Sequence, residues 1–452
     1  MMPKILSRGM GIGLILSLLS LPCAADPPGA GLNKNADTLK IVRITPTGQD
    51  VPAERQIVFK FNLPVVPVGR MERTPEEVPI TIQPALEGQW RWLDTSTLAL
   101  QLGEKEKLKP ATRYTIRVEP KFVSQSGKPM PAGTIQDFFI TLRPRIEYTH
   151  FTNWKSPGWP VIGMSFNQKV DPQSVIKHLQ FTASGKRVAA VLDEKASADY
   201  GTAVNIAPVR ELPIDTEVIL TVTPGIASLE GPELGVESRT VVVFNTFPEF
   251  QFLGIQGFDI NGKQIKLRPG SSEDLRFQPL AGAQLLFSTP VPARSEGPKL
   301  RFTPDLAGGR SDYDPWADVS QGEYYLRQPH KLGTEYPVAV PEALKAFHDY
   351  QLTGRPDFQD IFGRRLARPL KFALKTSHRP PELFLKNEIS VLEKNEQTHV
   401  PLVITNLNRI TARYRLLQNP ADYWTLHDLA DCHGTFNPNQ EHVIKTEPVQ
   451  DV

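Results

Sequence analysis

Cysteine is nearly missing from this chain. Its 452 residues include two, Cys23 and Cys432. Cys23 falls in what reads as a removable leader, so the mature chain is expected to hold one thiol and no internal disulfide. Any core must then hold by packing. A charge excess is missing too: 51 basic residues face 49 acidic ones, a net charge of +2. That balance argues against the concentrated basic face of a nucleic-acid binder, and no basic block marks a membrane-surface patch. Catalytic signatures are scarce. There is no His-Glu-x-x-His pair and no phosphate loop. Ser174-Val175-Ile176-Lys177 fits the Ser-x-x-Lys nucleophile pattern, but the Ser-Asp-Asn and Lys-Thr-Gly partners of that chemistry are absent. The expectation is a protein that is not an enzyme, with no cofactor, no metal site and no small-molecule substrate.

Proline is abundant instead, at 42 residues. Proline lacks the N–H and clashes with the preceding helical turn, so many short strands joined by loops suit this chain better than long helices. At the N-terminus Lys4 and Arg8 precede an apolar run over residues 11–21, too short to span a bilayer comfortably. Leu21-Pro22-Cys23-Ala24-Ala25-Asp26 follows. Small residues at positions 23 and 25 predict cleavage between Ala25 and Asp26, and with it export to the periplasm. Lipidation of Cys23 is the weaker alternative, because Pro22 stands where a small residue is needed.

Three short signatures recur in one order. The first ends a strand: Phe61-Asn62-Leu63-Pro64-Val65, Phe166-Asn167-Gln168-Lys169-Val170 and Phe287-Ser288-Thr289-Pro290-Val291. The second precedes a strand: Leu108-Lys109-Pro110-Ala111-Thr112-Arg113-Tyr114, Leu212-Pro213-Ile214-Asp215-Thr216-Glu217-Val218 and Leu332-Gly333-Thr334-Glu335-Tyr336. The third is Gly127 before Phe139-Ile140-Thr141, Gly231 before Phe244-Asn245-Thr246, and Gly363 before Phe372 and Thr376. The repeat is 105 residues from Phe61 to Phe166 and 121 from Phe166 to Phe287, the size of one immunoglobulin-like sandwich. Alternation of apolar residues at Ile57, Phe59 and Phe61, at Tyr114, Ile116 and Val118, and at Val218, Leu220 and Val222 predicts half-buried strands. The fold expected is all-β: tandem immunoglobulin-like or macroglobulin-like β-sandwich domains over residues 38–145, 146–250, 251–379 and, incompletely, 380–452.

The third unit carries an insertion, Gly308-Gly309-Arg310-Ser311-Asp312-Tyr313-Asp314-Pro315-Trp316-Ala317-Asp318, that reads as a long surface loop. Asp312, Asp314 and Asp318 offer carboxylates for calcium, but without the Gly and terminal Glu of an EF-hand. Residues 341–350 are expected to form a short helix. Trp90 and Trp92 lie two apart on one sheet face, so the core and a carbohydrate-binding platform compete for them. His427, Cys432, His433 and His442 gather near the C-terminus in no spacing characteristic of zinc.

Arg379-Pro380-Pro381 marks a linker into the fourth unit. There residues 400–405 and 411–417 read as strands joined by Asn406-Leu407-Asn408, and Asn419-Pro420 reads as a helix start ended by Gly434. With 73 residues beyond Arg379, this unit is expected to be truncated relative to a longer parent. Gln89-Trp90-Arg91-Trp92-Leu93-Asp94-Thr95-Ser96-Thr97-Leu98, followed by the segment Leu108 to Tyr114, resembles the immunoglobulin-like N-terminal domains of large bacterial alpha-2-macroglobulin family proteins. Arg379-Pro380-Pro381-Glu382-Leu383, Val391-Leu392-Glu393 and Thr405-Asn406-Leu407-Asn408-Arg409-Ile410-Thr411-Ala412-Arg413-Tyr414 are similar to the first macroglobulin domain of that family. The resemblance implies endopeptidase inhibition in a full-length parent, with proteases as partners alongside other envelope proteins, and with these domains as spacers or docking units. It also implies a bait segment and often a Cys-x-x-Gln thioester. This chain departs there: Cys23-Ala24-Ala25-Asp26 and Cys432-His433-Gly434-Thr435 both lack the Gln. An immunoglobulin-repeat adhesion protein with no inhibitory role is the competing expectation.

Overall fold

The computed structural model describes residues 38–69, 71–193, 201–320, 322–385, 402–414 and 440–445. They are nearly all β. Two compact units divide them. One runs to Arg145 and takes in Gln168–Asp171 and Pro224–Val236; the other holds Ile146–Asn167, Pro172–Thr223 and the chain from Glu237 onward.

In the first unit Ile41–Thr45, Gln56–Phe61, Thr97–Leu102, Gly88–Asp94 and Glu72–Arg73 form one sheet in that order. Gly48–Val51, Ile135–Thr141, Arg113–Val118 and Ile80–Gln83 form the other. The short strand Gly48–Val51 pairs parallel to Ile135–Thr141, whereas the other contacts are antiparallel. This is the strand order of an immunoglobulin-like sandwich. Its core is aromatic. Phe61 packs on Trp92 at 5.6 Å and on Phe122 at 5.0 Å, Phe59 lies 5.9 Å from Trp90, and Tyr114 stacks on Phe139 at 5.2 Å. Each of these rings is buried.

The second unit contains two more sandwiches. In the second sandwich, seven strands make one continuous sheet, because Lys186–Leu192 changes partner along its length. Its first half pairs with Leu179–Ala183 and its second half with Ala203–Pro208, so one strand bridges both layers. In the third sandwich, Gln264–Leu267, Phe252–Phe258, Gln284–Phe287 and Tyr336–Ala339 make one sheet, and Arg276–Phe277, Lys371–Thr376, Asp349–Gly354 and Leu300–Thr303 make the other. Arg276–Phe277 again pairs parallel to the last strand, as Gly48–Val51 does in the first sandwich.

The repeat has a physical basis at one corner. Thr141, Thr246 and Thr376 are buried to 2%, 0% and 0% exposure. Each hydroxyl donates to a carbonyl in the loop before the penultimate strand: Lys109 at 2.7 Å, Pro213 at 2.7 Å and Lys345 at 2.6 Å. Each also accepts an amide N–H, from Thr112, Thr216 and His348, at 2.9 Å in every case. The residue before that amide has positive φ in all three copies: Ala111 at 47°, Asp215 at 51° and Phe347 at 53°. In the first and third copies a tyrosine hydroxyl completes the corner. Tyr114 accepts the Lys109 N–H at 2.9 Å and Tyr350 the Lys345 N–H at 2.8 Å. Val218 takes that place in the second copy.

These contacts correct two sequence expectations. The third copy of the second signature is Leu344 to Tyr350, not Leu332 to Tyr336. Leu108, Leu212 and Leu344 are buried at 2–4% exposure, while Leu332 is 75% exposed, and Tyr336 opens a different strand, paired with Gln284–Phe287. Residues 341–350 do not form a helix. Residues 341–348 are irregular and Asp349 begins a strand, because the left-handed backbone at Phe347 is incompatible with helix continuation.

Beyond Arg379, Glu382–Leu385 pairs with Leu402–Thr405, and Arg409–Tyr414 pairs with Gln440–Lys445. The two strands flanking Asn406 thus pair with other strands. The helix expected from Asn419 lies outside the described residues.

Candidate functional site

Among the described residues, those singled out in the sequence are not brought together. Trp90 and Trp92 are 6% and 3% exposed and pack on Phe59 and Phe61, so they belong to the core and present no ring face for a sugar. Ser174 is buried on the short helix Pro172–His178, and Lys177 is exposed at its end. Asp312, Asp314 and Asp318 are all exposed. Asp314 accepts the Trp316 N–H at 3.0 Å, a local turn contact. Among the described residues no group of three or more His, Cys, Asp or Glu is placed to share a metal ion. Ala25, Asp26, His427, Cys432 and His433 lie outside the described residues, and His442 falls on the strand Gln440–Lys445.

The insertion of the third sandwich builds a cleft of about 410 Å³ beside Leu300–Thr303. Trp316 forms one wall. Its indole lies against Gly297, where a Cβ would come within 2.2 Å of the ring; only glycine allows that approach. Arg310 sits 4.0 Å over the Tyr313 ring and donates to the Ala307 carbonyl. Tyr313 donates to the Glu342 carboxylate, and that bond raises the phenol's pKa. The polar groups of the cleft therefore hold the loop in place.

A denser constellation joins the second and third sandwiches through residues that all belong to one compact unit. Phe247, which is fully buried, follows the last strand of the second sandwich. Its ring meets Trp154 at 4.8 Å, His330 at 4.5 Å in a stacked arrangement, Tyr336 at 5.7 Å and Phe362 at 5.1 Å. Backbone bonds cross the same seam. The Asn245 N–H donates to the His330 carbonyl at 2.8 Å, and the Leu332 N–H to Asn245 Oδ1 at 3.1 Å. Trp154 Nε1 donates to the Gln328 carbonyl at 3.1 Å, and Arg364 to the Pro248 carbonyl at 2.9 Å. His330 is 3% exposed, with Nδ1 at 2.6 Å from the Tyr336 hydroxyl. Burial pushes its pKa down to about 4 and raises that of Tyr336. Of these residues Asn245, Leu332 and Tyr336 stood out in the sequence only as members of the recurring signatures; Trp154, Phe247 and Phe362 belong to none, and His330 is a lone histidine in a loop. The only sequence signal was the density of aromatic residues beside proline, as in Phe247-Pro248-Glu249-Phe250.

No family model matches the chain. It is 30% identical over 222 residues to circularly permutated Ras protein 2 of Dictyostelium discoideum, a match covering 44% of this chain and 5% of that protein. The chain thus spans about a twentieth of that relative's length. Among solved structures, the plexin A4 extracellular region is 8% identical with a TM-score of 0.22, covering 75% of this chain and 34% of that one. SGBP-B of the Bacteroides ovatus mixed-linkage glucan utilization locus, solved with a mixed-linkage heptasaccharide, is 10% identical with a TM-score of 0.18, covering 92% and 93%. The S-layer protein rSbsC(31-844) is 10% identical with a TM-score of 0.17, covering 92% and 67%. Similarities at this level assign no function.

Proposed function

We propose that the chain is the N-terminal array of an exported alpha-2-macroglobulin-like endopeptidase inhibitor, in which its immunoglobulin-like sandwiches act as spacer and docking modules. One observation carries the reading. Consecutive sandwiches share a corner design, and two of them are fused through the buried Phe247 joint. A fixed joint of that kind suits a part that sets the distance and angle between other domains, and the resemblance at Gln89 to Tyr114 and around Thr405 to Tyr414 supports that family. In the periplasm the partners are proteases, met through the full-length parent.

The test uses the complete gene product with an endopeptidase. Trapping predicts that cleavage of a large protein substrate stops while cleavage of a small chromogenic peptide continues, since a caged protease still admits small molecules. It also predicts that further macroglobulin domains are encoded after Val452. Unchanged cleavage of both substrates, with immunoglobulin repeats and a surface anchor encoded downstream, would replace the inhibitor reading with an adhesion protein.

A further inference from the structure

We propose that protonation of His330 opens the joint between the second and third sandwiches, making that joint an acid-sensitive hinge. The argument begins with position. His330 is buried in the seam itself: its ring stacks on Phe247 of the second sandwich, and its carbonyl takes the Asn245 N–H from the last strand of that sandwich. A change at this one residue therefore acts on the stacking and on the backbone bond together.

The second step concerns what surrounds the ring. From the second sandwich it meets Phe247 and Asn245, neither of which carries charge. From its own sandwich it meets Tyr336, and Tyr325 packs edge-on against Tyr336 at 5.0 Å. From the turn at 360–364 comes Phe362, through Phe247, with the Arg364 guanidinium already bonded to Asp360 and to the Pro248 carbonyl. Arg327 and Lys331 flank the segment and are exposed cations. Glu335, a nearby carboxylate in sequence, is held by Lys266 and Arg268. Among the described residues no carboxylate faces the imidazole, so an imidazolium formed there has a hydroxyl to bond and no described counter-ion. A buried unpaired charge is costly, and the relief open to it is solvent, reached by separating the two sandwiches.

The sign follows. Burial alone depresses the ring's pKa from 6.5 to about 4, so the closed joint is fully favoured above pH 6.5. It loses that advantage as pH falls toward 4, as an open state binds the proton more readily. The full coupling corresponds to ~300-fold in the closed-to-open ratio, with ~100-fold of it reached by pH 4.

Hydrogen exchange of the Asn245 amide in the whole chain reads the joint directly, after correction for the intrinsic pH dependence of exchange. The expected result is a rise of ~100-fold in opening between pH 7.5 and pH 4, while the Phe181 amide inside the second sandwich stays protected. His330→Phe keeps a stacking ring without a proton to gain and is expected to abolish the rise. Should that variant fail to fold, His330→Gln serves the same purpose. Equal protection of Asn245 at both pH values, loss of Phe181 protection in parallel, or an undiminished rise in the variant overturns the proposal.

Discussion

At the scale of single residues, three threonines do most to define the repeat. Each satisfies a loop carbonyl and a loop N–H with one hydroxyl, and valine would fill the same volume while leaving both groups buried and unpaired. Thr141→Val, Thr246→Val and Thr376→Val are each expected to destabilise their own sandwich by about 1–3 kcal/mol, measured by denaturant unfolding. Tyr350→Phe removes only one partner of the Lys345 N–H and is expected to cost about 1 kcal/mol. These threonines were legible as a pattern, since all three stand in the recurring third signature. Their partners were only partly legible. Leu344-Lys345-Ala346-Phe347-His348-Asp349-Tyr350 carries the same Leu, Lys and Tyr spacing as Leu108 to Tyr114. It was hidden because the insertion lengthens the path from Phe287, and because Tyr336 presented itself earlier at a plausible interval. A burial difference decides the register, and burial is not written in a five-residue match.

At the scale of elements, the parallel edge strand shows how side chains hold what backbone pairing leaves weak. Gly48–Val51 has four residues and one sheet neighbour. Arg143 grips it by donating to Asp50 through Nε at 2.9 Å, and to Gln49 at 3.1 Å. The Arg143 hydrogen bond, against an opposing desolvation, holds the Asp50 carboxyl below its usual value and raises the guanidinium's own pKa. Asp50→Asn is expected to speed amide exchange over residues 48–51 and leave the Gln56–Phe61 strand protected. The same loosening should appear in the unsubstituted chain only as pH falls below the ordinary carboxylate value of 3.8 toward the depressed one. The insertion offers a second test. Gly297→Ala drives a methyl into the Trp316 ring, and overpacking of that kind costs about 1–3 kcal/mol; a shift in Trp316 fluorescence with the sandwich still folded is the expected signature. Strands were the readable elements here. The alternation at Gln56–Phe61, Arg113–Val118 and Glu217–Val222 matches their observed burial, because a half-buried strand writes its environment at every second residue. Irregular segments write no such period: within 341–350 the corner buries Leu344 and Tyr350 but leaves Phe347 65% exposed, a burial pattern with no helical repeat.

At the scale of the whole molecule, the Phe247 joint is where function and stability meet. Phe247→Ala removes a fully buried ring shared by two sandwiches, with an expected loss of about 3–5 kcal/mol and separation of their unfolding into two calorimetric transitions. The joint was the least legible part of the chain. It assembles Trp154, Phe247, His330, Tyr336 and Phe362 from segments up to 208 residues apart, and only folded registers bring such residues together. The central claim is that each repeat is a sandwich with its own core. Pulling the chain from its ends with single-molecule force spectroscopy tests this most directly. The account predicts three separate unfolding events over residues 38–376, each releasing on the order of 35–40 nm of chain for about 100–120 residues at ~3.5 Å apiece. One event releasing the whole length at once would contradict it.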